Sequence, residues 1–256
     1  MIYLDNAATT KVYDEIIPLI NKYLSDLYFN PSALYSQAIQ VACDIKRARQ
    51  TVASILGIDA STIFFTSSGT ESDNHVLFTA RKRKGTKIII SATEYSAVYN
   101  AAMELKQQGY DIAVCKVKSD GSVDVTAFAE LLDDNTSLIS IMHVNNETGA
   151  VNDIEELVRI AKAYNKNILF HSDGVQAYCK IPLNLIKLGV DFYSISGHKI
   201  GAPKGIAALY VKKGVHLNPL LFGGGFIRPN VHPTIDQHGI GRENFQTLFD
   251  ECTLIR

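Results

Sequence analysis

Lys199 lies in "SISGHKIGAPKG" (194–205), between the apolar runs "DFYSI" and "GIAALYV". A solvated lysine needs no such setting. An amine leaving a buried strand beside Ser196, Gly197 and His198 is partly desolvated, which lowers its pKa and suits it to Schiff-base formation. The small residues that follow it leave room for a ring. Asp173 ends a second apolar run, "NILFHSD" (167–173), where a carboxylate is costly unless it meets a positive partner. A protonated ring nitrogen would serve, and an N-cap role for the next helix is the plainer alternative. His171, two residues earlier, also admits a metal pair, but no third ligand presents itself. "SSGTES" (67–72) is a small-residue turn opening a helix. Its backbone N–H groups, with the hydroxyls of Ser68 and Thr70, could cradle a phosphate or simply cap the helix. Neither a Walker Gly-Lys-Ser/Thr nor a GxGxxG fingerprint is present. A phosphate cradle, a carboxylate for a ring nitrogen and a Schiff-base lysine are together what pyridoxal 5′-phosphate requires.

These groups need elements to hold them. The residues over 36–56 place Ile39, Ala42, Ile45, Val52 and Ile55 at helical intervals, with Ser36 as N-cap. Strands follow at 62–66, 87–91, 111–117, 137–144 and 167–173, with helices after 67–72 and over 96–108, 126–132 and 153–164. "DFYSISG" and "GIAALYV" close the series. Short, doubly apolar strands alternating with amphipathic helices predict an α/β fold, a mainly parallel sheet flanked by helices. Ligands bind such sheets beyond the carboxyl ends of the strands. "TSSGTES", "EYSAV", "NNETG", "DGVQ" and "SGHK" all follow strands.

The 256 residues, 46% apolar and 20% charged, suit one large domain, or one domain with a fragment of a second. A net charge of −1 argues against nucleic-acid and membrane-surface binding. No run is long and apolar enough to span a bilayer, and "MIYLDNAATT" is not patterned as a secretory signal. Cys43, Cys115, Cys179 and Cys252 are scattered without metal-ligand spacing, so no metal is expected and a cytoplasmic setting is. The chain divides into an arm (1–15), a large domain (16–222) and an irregular tail (223–256) rich in Gly, Pro and His.

With these motifs in view, the chain resembles the class V aminotransferase-fold enzymes that use pyridoxal phosphate, and most closely the NifS/IscS-type cysteine desulfurases. "YLDNAATT" (3–10), "NPSALYSQA" (30–38), "FTSSGTESDN" (65–74), "MHVNNETG" (142–149), "FHSDGVQAYCKIPLNL" (170–185), "SISGHKIGAPKGIAALYV" (194–211) and "LLFGGG" (220–225) carry the resemblance. It implies the type I large-domain fold with the C-terminal small domain missing. It implies Lys199 as the Schiff-base lysine, Asp173 on the pyridine nitrogen and Gln176 on the phenolic oxygen, with Gly69, Thr70, Ser196 and His198 on the phosphate. It further implies Asn146 near the ring and the substrate carboxylate, with Asn6, Ala7 and Ala8 lining the substrate side. The implied reaction takes L-cysteine to L-alanine, with sulfur passed as a persulfide to an acceptor or scaffold protein in iron–sulfur cluster assembly, and the implied state is a homodimer.

Three departures accompany the resemblance. Tyr95 stands where the family has a ring-stacking, proton-transferring histidine, and Tyr35 replaces another histidine. A phenol stacks well, but its reference pKa of about 10 makes it a poor base at neutral pH. The family's segment after "GGG", with its nucleophilic cysteine and carboxylate-binding arginine, is absent; Arg228 and Cys252 are not assigned those roles. Alternatives are another pyridoxal-phosphate aminotransferase or lyase acting on a small amino acid, and a non-catalytic scaffold or remnant.

Overall fold

The computed structural model describes residues 2–79 and 86–220. The tail read over 223–256, with Arg228 and Cys252, lies outside the described residues, as do residues 80–85.

Seven strands form one sheet: β1 (Ile63–Thr66), β2 (Lys87–Ser91), β3 (Asp111–Cys115), β4 (Thr136–Ser140), β5 (Leu169–Asp173), β6 (Phe192–Ser196) and β7 (Ala207–Val211). Their order is β1-β7-β6-β5-β4-β2-β3. β2, β3, β4, β5 and β6 are linked by parallel pairings, while β7 is antiparallel to both β6 and β1. Two reversals make β1 parallel to β6, so β7 alone runs against the sheet. The mainly parallel sheet expected from the sequence is present.

The apolar runs form strands because alternate side chains enter different cores. Along β2, Ile89 joins a cluster with Val52, Leu56, Ile139, Leu157 and Phe170. Its neighbours Ile88 and Ile90 join the opposite cluster with Val76, Val98, Leu105 and Leu209. The first cluster is covered by α2 (Ser36–Leu56), α5 (Val125–Leu131) and α6 (Ile154–Tyr164), the second by α3 (Gly69–Thr79) and α4 (Ser96–Gln107). Burying each of these aliphatic side chains contributes roughly 1.5–3 kcal/mol.

Several local expectations are corrected. Ser36 is the first helical residue of α2 and not its cap; Tyr35 holds the N-cap position without a side-chain bond. The buried stripe of α2 is Ala38, Val41, Ala48 and Val52, leaving Ile39 half exposed. Helix α1 (Ile17–Ser25) was not anticipated; Pro18 occupies its first turn, and Tyr23 ties it to α2 by donating to buried Asp44 at 3.0 Å. A short helix, α7 (Leu185–Leu188), follows β5 and is capped by the Asn184 side chain accepting from Lys187 N.

The arm is fastened to the β6–β7 connection. Thr10 donates its backbone N–H to the His198 carbonyl at 2.9 Å, and Gly201 N donates to Thr10 Oγ1 at 2.7 Å. Gly201 has φ +90°, and a Cβ there would lie 2.2 Å from the Tyr13 ring. The space cleared after Lys199 is therefore taken, at this position, by Tyr13.

Candidate active site

β1, β4, β5 and β6 and the turn after β2 deliver their following residues to one end of the sheet, where a cavity of about 400 Å³ opens. Such a volume suits a small organic ligand, and carboxyl ends of parallel strands are where one is expected. Lining residues include Ser68, Gly69 and Thr70 from the start of α3 and its approach, Tyr95 before α4, Asn146 after β4, Asp173 at the end of β5 with Gln176 beyond it, and Ser196 at the end of β6 with His198 and Lys199 beyond it. Ala7 and Ala8 reach it from the arm. Among the residues singled out from the sequence, Asn6 is the exception: it lines a separate cleft with Thr10 to Glu15. Tyr35 packs edge-on against Phe29 instead, with ring centroids 5.8 Å apart.

The start of α3 is fixed by its own side chains. Ser68 Oγ accepts from Glu71 N at 3.1 Å, and the Glu71 carboxylate reaches back to accept from Ser67 N at 2.9 Å. This reciprocal capping is the local reason the chain turns into a helix here. Ser68 thus caps the helix, while the first-turn N–H groups and the helix dipole face the cavity, favourable to an anion.

Lys199 Nζ donates to the carbonyls of Ala7 and Ala8, both at 2.7 Å. Desolvation lowers its pKa, opposed by the negative charges of Asp173 and Asp5. Burial pushes Asp173 up to about 6, with its bond from Val175 N and the charge of Lys199 acting the other way. Its Oδ1 accepts from Val175 N at 2.9 Å, so the carboxylate also closes the local turn. Burial brings the His198 imidazole down to about 4, and nearby lysines act in the same direction. It is therefore neutral at pH 7, with Nδ1 3.1 Å from Thr9 Oγ1. Gln176 donates through Nε2 to the Ala7 carbonyl at 2.8 Å and accepts from Lys180 at 2.6 Å. Asn146 donates to Glu147 at 2.7 Å. Tyr95, at the N-cap position of α4, is 45% exposed and free to present its ring to the cavity.

His171, considered as half of a metal pair, instead hydrogen-bonds two hydroxyls, Ser140 through Nδ1 and Ser194 through Nε2. Sequence reasoning missed Asp5, Asp73, Met142 and Glu147, all of which line the cavity. Asp73 stood within a quoted motif, but in a helix whose polar residues would ordinarily face water.

The sequence model of the aminotransferase class-V family matches residues 2–239. A cysteine desulfurase of Nostoc sp. is 45% identical over 226 residues, covering 88% of this chain and 56% of that protein. Cysteine desulfurase NifS of Azotobacter vinelandii is 39% identical over 226 residues, covering 87% and 56%. Among solved structures, a NifS-like protein superposes with a TM-score of 0.91 at 35% identity, covering 99% of this chain and 70% of that one. A structure described as SspA in complex with cysteine gives 0.88 at 33% identity, covering 98% and 72%. The chain spans a little over half the length of the curated relatives it matches.

Proposed function

The chain belongs to the aminotransferase class-V family, and from that premise we propose that it binds pyridoxal 5′-phosphate in the cavity and acts on L-cysteine as a desulfurase. L-Alanine leaves, and the sulfur passes to an acceptor thiolate as a persulfide, as a supply for iron–sulfur cluster assembly. The observation that carries this reading is the meeting of Lys199, Asp173 and the N-terminus of α3 on one cavity.

The residues present fit the cofactor. The first turn of α3, with Gly69 and Thr70, and the hydroxyl and neutral imidazole of Ser196 and His198 offer donors to a phosphate without adding a second cation beside Lys199. Asp173 offers a buried carboxylate to a ring nitrogen, and Tyr95 a ring face. When bound, the cofactor supplies an aldehyde for amine condensation and an electron-withdrawing ring that delocalises negative charge from the substrate Cα.

This chain's residues do the rest. Partial desolvation keeps a fraction of Lys199 unprotonated, able to attack a carbonyl and later to hold the proton taken from the substrate Cα. Asp173, ionised above about pH 6, keeps a ring nitrogen protonated. Gln176 serves the phenolic oxygen, and Asn146, Ala7 and Ala8 border the substrate. Tyr95 stacks and leaves proton transfer to Lys199.

The proposed organisation keeps residues 1–15 as an arm, 16–222 as the cofactor domain and 223–256 as a tail. A homodimer is supported by the exposed apolar side chains of Ile2, Leu4, Leu24, Leu34 and Ile39 on the arm and around α1 and α2. A cytoplasmic location is proposed with it; no described helix is long and apolar enough to cross a membrane. A second reading, a lyase or aminotransferase on a small amino acid, is favoured by one observation: among the described residues, none that lines the cavity is a cysteine.

The test is an absorption titration of purified protein with pyridoxal phosphate. A band that borohydride abolishes, with the label on Lys199, is expected; a protein that takes up no cofactor overturns the reading. Alanine and sulfide from L-cysteine in the presence of a thiol support desulfuration, whereas keto-acid-dependent amino transfer supports the second reading.

A further inference from the structure

The cavity floor holds a carboxyl group that the proposed chemistry does not use. Asp73, on α3, is 1% exposed and lines the cavity together with Asp173. Its Oδ1 has no hydrogen-bond partner and lies 3.5 Å from Nε2 of His171, a ring with no exposed surface. Both nitrogens of that ring are engaged, Nδ1 with Ser140 Oγ at 2.8 Å and Nε2 with Ser194 Oγ at 3.0 Å.

Three charge states are to be weighed at these positions: an ion pair between Asp73 and a protonated His171, an ionised Asp73 beside a neutral His171, or two neutral groups. A buried ion pair offsets its desolvation only with good geometry and satisfied lone pairs. Here the contact is beyond hydrogen-bond length, Oδ1 is otherwise bare, and of the groups acting on the carboxylate only the Ser194 hydroxyl favours its charged form. The ionisable groups acting on Asp73 also disfavour a charge. Asp173 on β5 and Glu94 in the turn after β2 both raise its pKa, second and third to burial itself among the influences that do so. His171 is brought down to about 3 by burial, and Glu94 is raised to about 8. Lys199 sits opposite Asp173 and lowers that group instead. Two carboxylates sharing a dry site do not both ionise.

We propose that Asp73 holds a proton at the floor of the cavity, beside the Ser140–His171–Ser194 hydrogen-bond chain, leaving Asp173 as the one buried negative charge lining the cavity, to face a ring nitrogen. Asp73 is a positioning residue that acts through Asp173. Only the identity of what Asp173 faces rests on the cofactor reading; the protonation state belongs to the ligand-free protein.

The test reads protons directly. In ligand-free protein at pH 7, carboxyl carbon shifts report Asp73 protonated, and ring nitrogen shifts report His171 neutral; an imidazolium or an ionised Asp73 overturns the proposal. Adding pyridoxal phosphate moves the Asp173 signal and leaves Asp73 protonated, whereas deprotonation of Asp73 on loading overturns it. Asp73→Asn supplies a second readout in denaturation midpoints. An unfolded aspartate ionises near 3.8, so a folded neutral Asp73 lowers stability progressively as pH rises above that value. The variant is expected to gain on the wild type between pH 5 and pH 8. A wild type that stays the more stable, with no widening gap, points to the ion pair and overturns the proposal. If the variant does not fold, the shifts on the wild type decide. Wild-type protein showing no cofactor absorption at all would count against the function above and leave the protonation of Asp73 to the ligand-free measurements.

Discussion

At the scale of residues, Lys199 and Asp173 combine desolvation with opposite charge, and their shifts partly offset each other. Burial pulls both towards neutrality, while mutual attraction favours both charged forms. Replacement therefore has distinct signatures. Lys199→Ala removes the only amine proposed to attach the cofactor, so borohydride is expected to fix no label, as intact mass would read. Asp173→Asn keeps the shape but loses a charge-assisted contact of about 1.5–3 kcal/mol, or roughly ten- to a hundredfold in cofactor affinity by equilibrium titration. The pH dependence has a fixed sign. Asp173 takes up its proton near pH 6, so affinity is expected to fall as pH drops from 7 to 5, reaching about tenfold at pH 5. Constant affinity over that range would remove Asp173 from the contact.

At the scale of elements, the close approach of β5 and β6 behind the site sets a packing constraint. A Cβ on Gly174 would lie 1.9 Å from Tyr193 Cε1, and the Tyr193 hydroxyl is held at 2.8 Å by His143 Nδ1. The ring has nowhere to go. Gly174→Ala is expected to cost about 1–3 kcal/mol by overpacking, read by denaturant unfolding, and adding Tyr193→Leu should recover part of that loss because the two positions are coupled. Neither residue announced this partnership in the sequence, since it joins adjacent strands through tertiary contact. What was legible followed from local pattern: "KIIIS" and "SLIS" became strands because their apolar residues serve two faces at once, although the second strand ends at Ser140, short of the expected 144. Helix α1 was overlooked although Ile16, Leu19, Ile20 and Tyr23 turn one face to the core, because exposed Ile17 and Leu24 break the contrast between that face and the other. The reversed direction of β7 left no mark in composition. The site lysine and strand-end carboxylate were readable from their costly positions, whereas Asp73 was not, because α3 buries a polar face of Ser72, Asp73 and His75 that only the cavity and the polar interior explain.

At the scale of the whole molecule, the buried ionisable groups set a stability profile for the ligand-free protein. Three imidazoles are held below their ordinary 6.5 chiefly by burial: His171 near 3, and His143 and His198 near 4. Each is protonated on unfolding below about pH 6.5, so each costs stability as pH falls from there towards its folded value. Three carboxyls act in the opposite sense. Asp73 is raised well above 3.8, Glu94 from 4.5 to about 8 and Asp173 from 3.8 to about 6. Each keeps in the fold a proton that the unfolded chain releases, so each costs stability as pH rises from its unfolded value towards its folded one. Between about pH 4.5 and 6.5 the two sets nearly cancel. Above 6.5 the imidazoles no longer contribute, while Glu94 still does, and the balance tips towards unfolding. The melting temperature is expected to be nearly flat from pH 5 to 6 and to decline from pH 6.5 to 8, as a calorimetric series would record. Glu94→Gln is expected to flatten the alkaline decline, because it retains a neutral side chain at the same position in both states. A melting temperature that rises steadily to pH 8 would mean that Glu94 is ionised in the fold. Its Oε2, buried without a hydrogen-bond partner, would then hold an uncompensated charge.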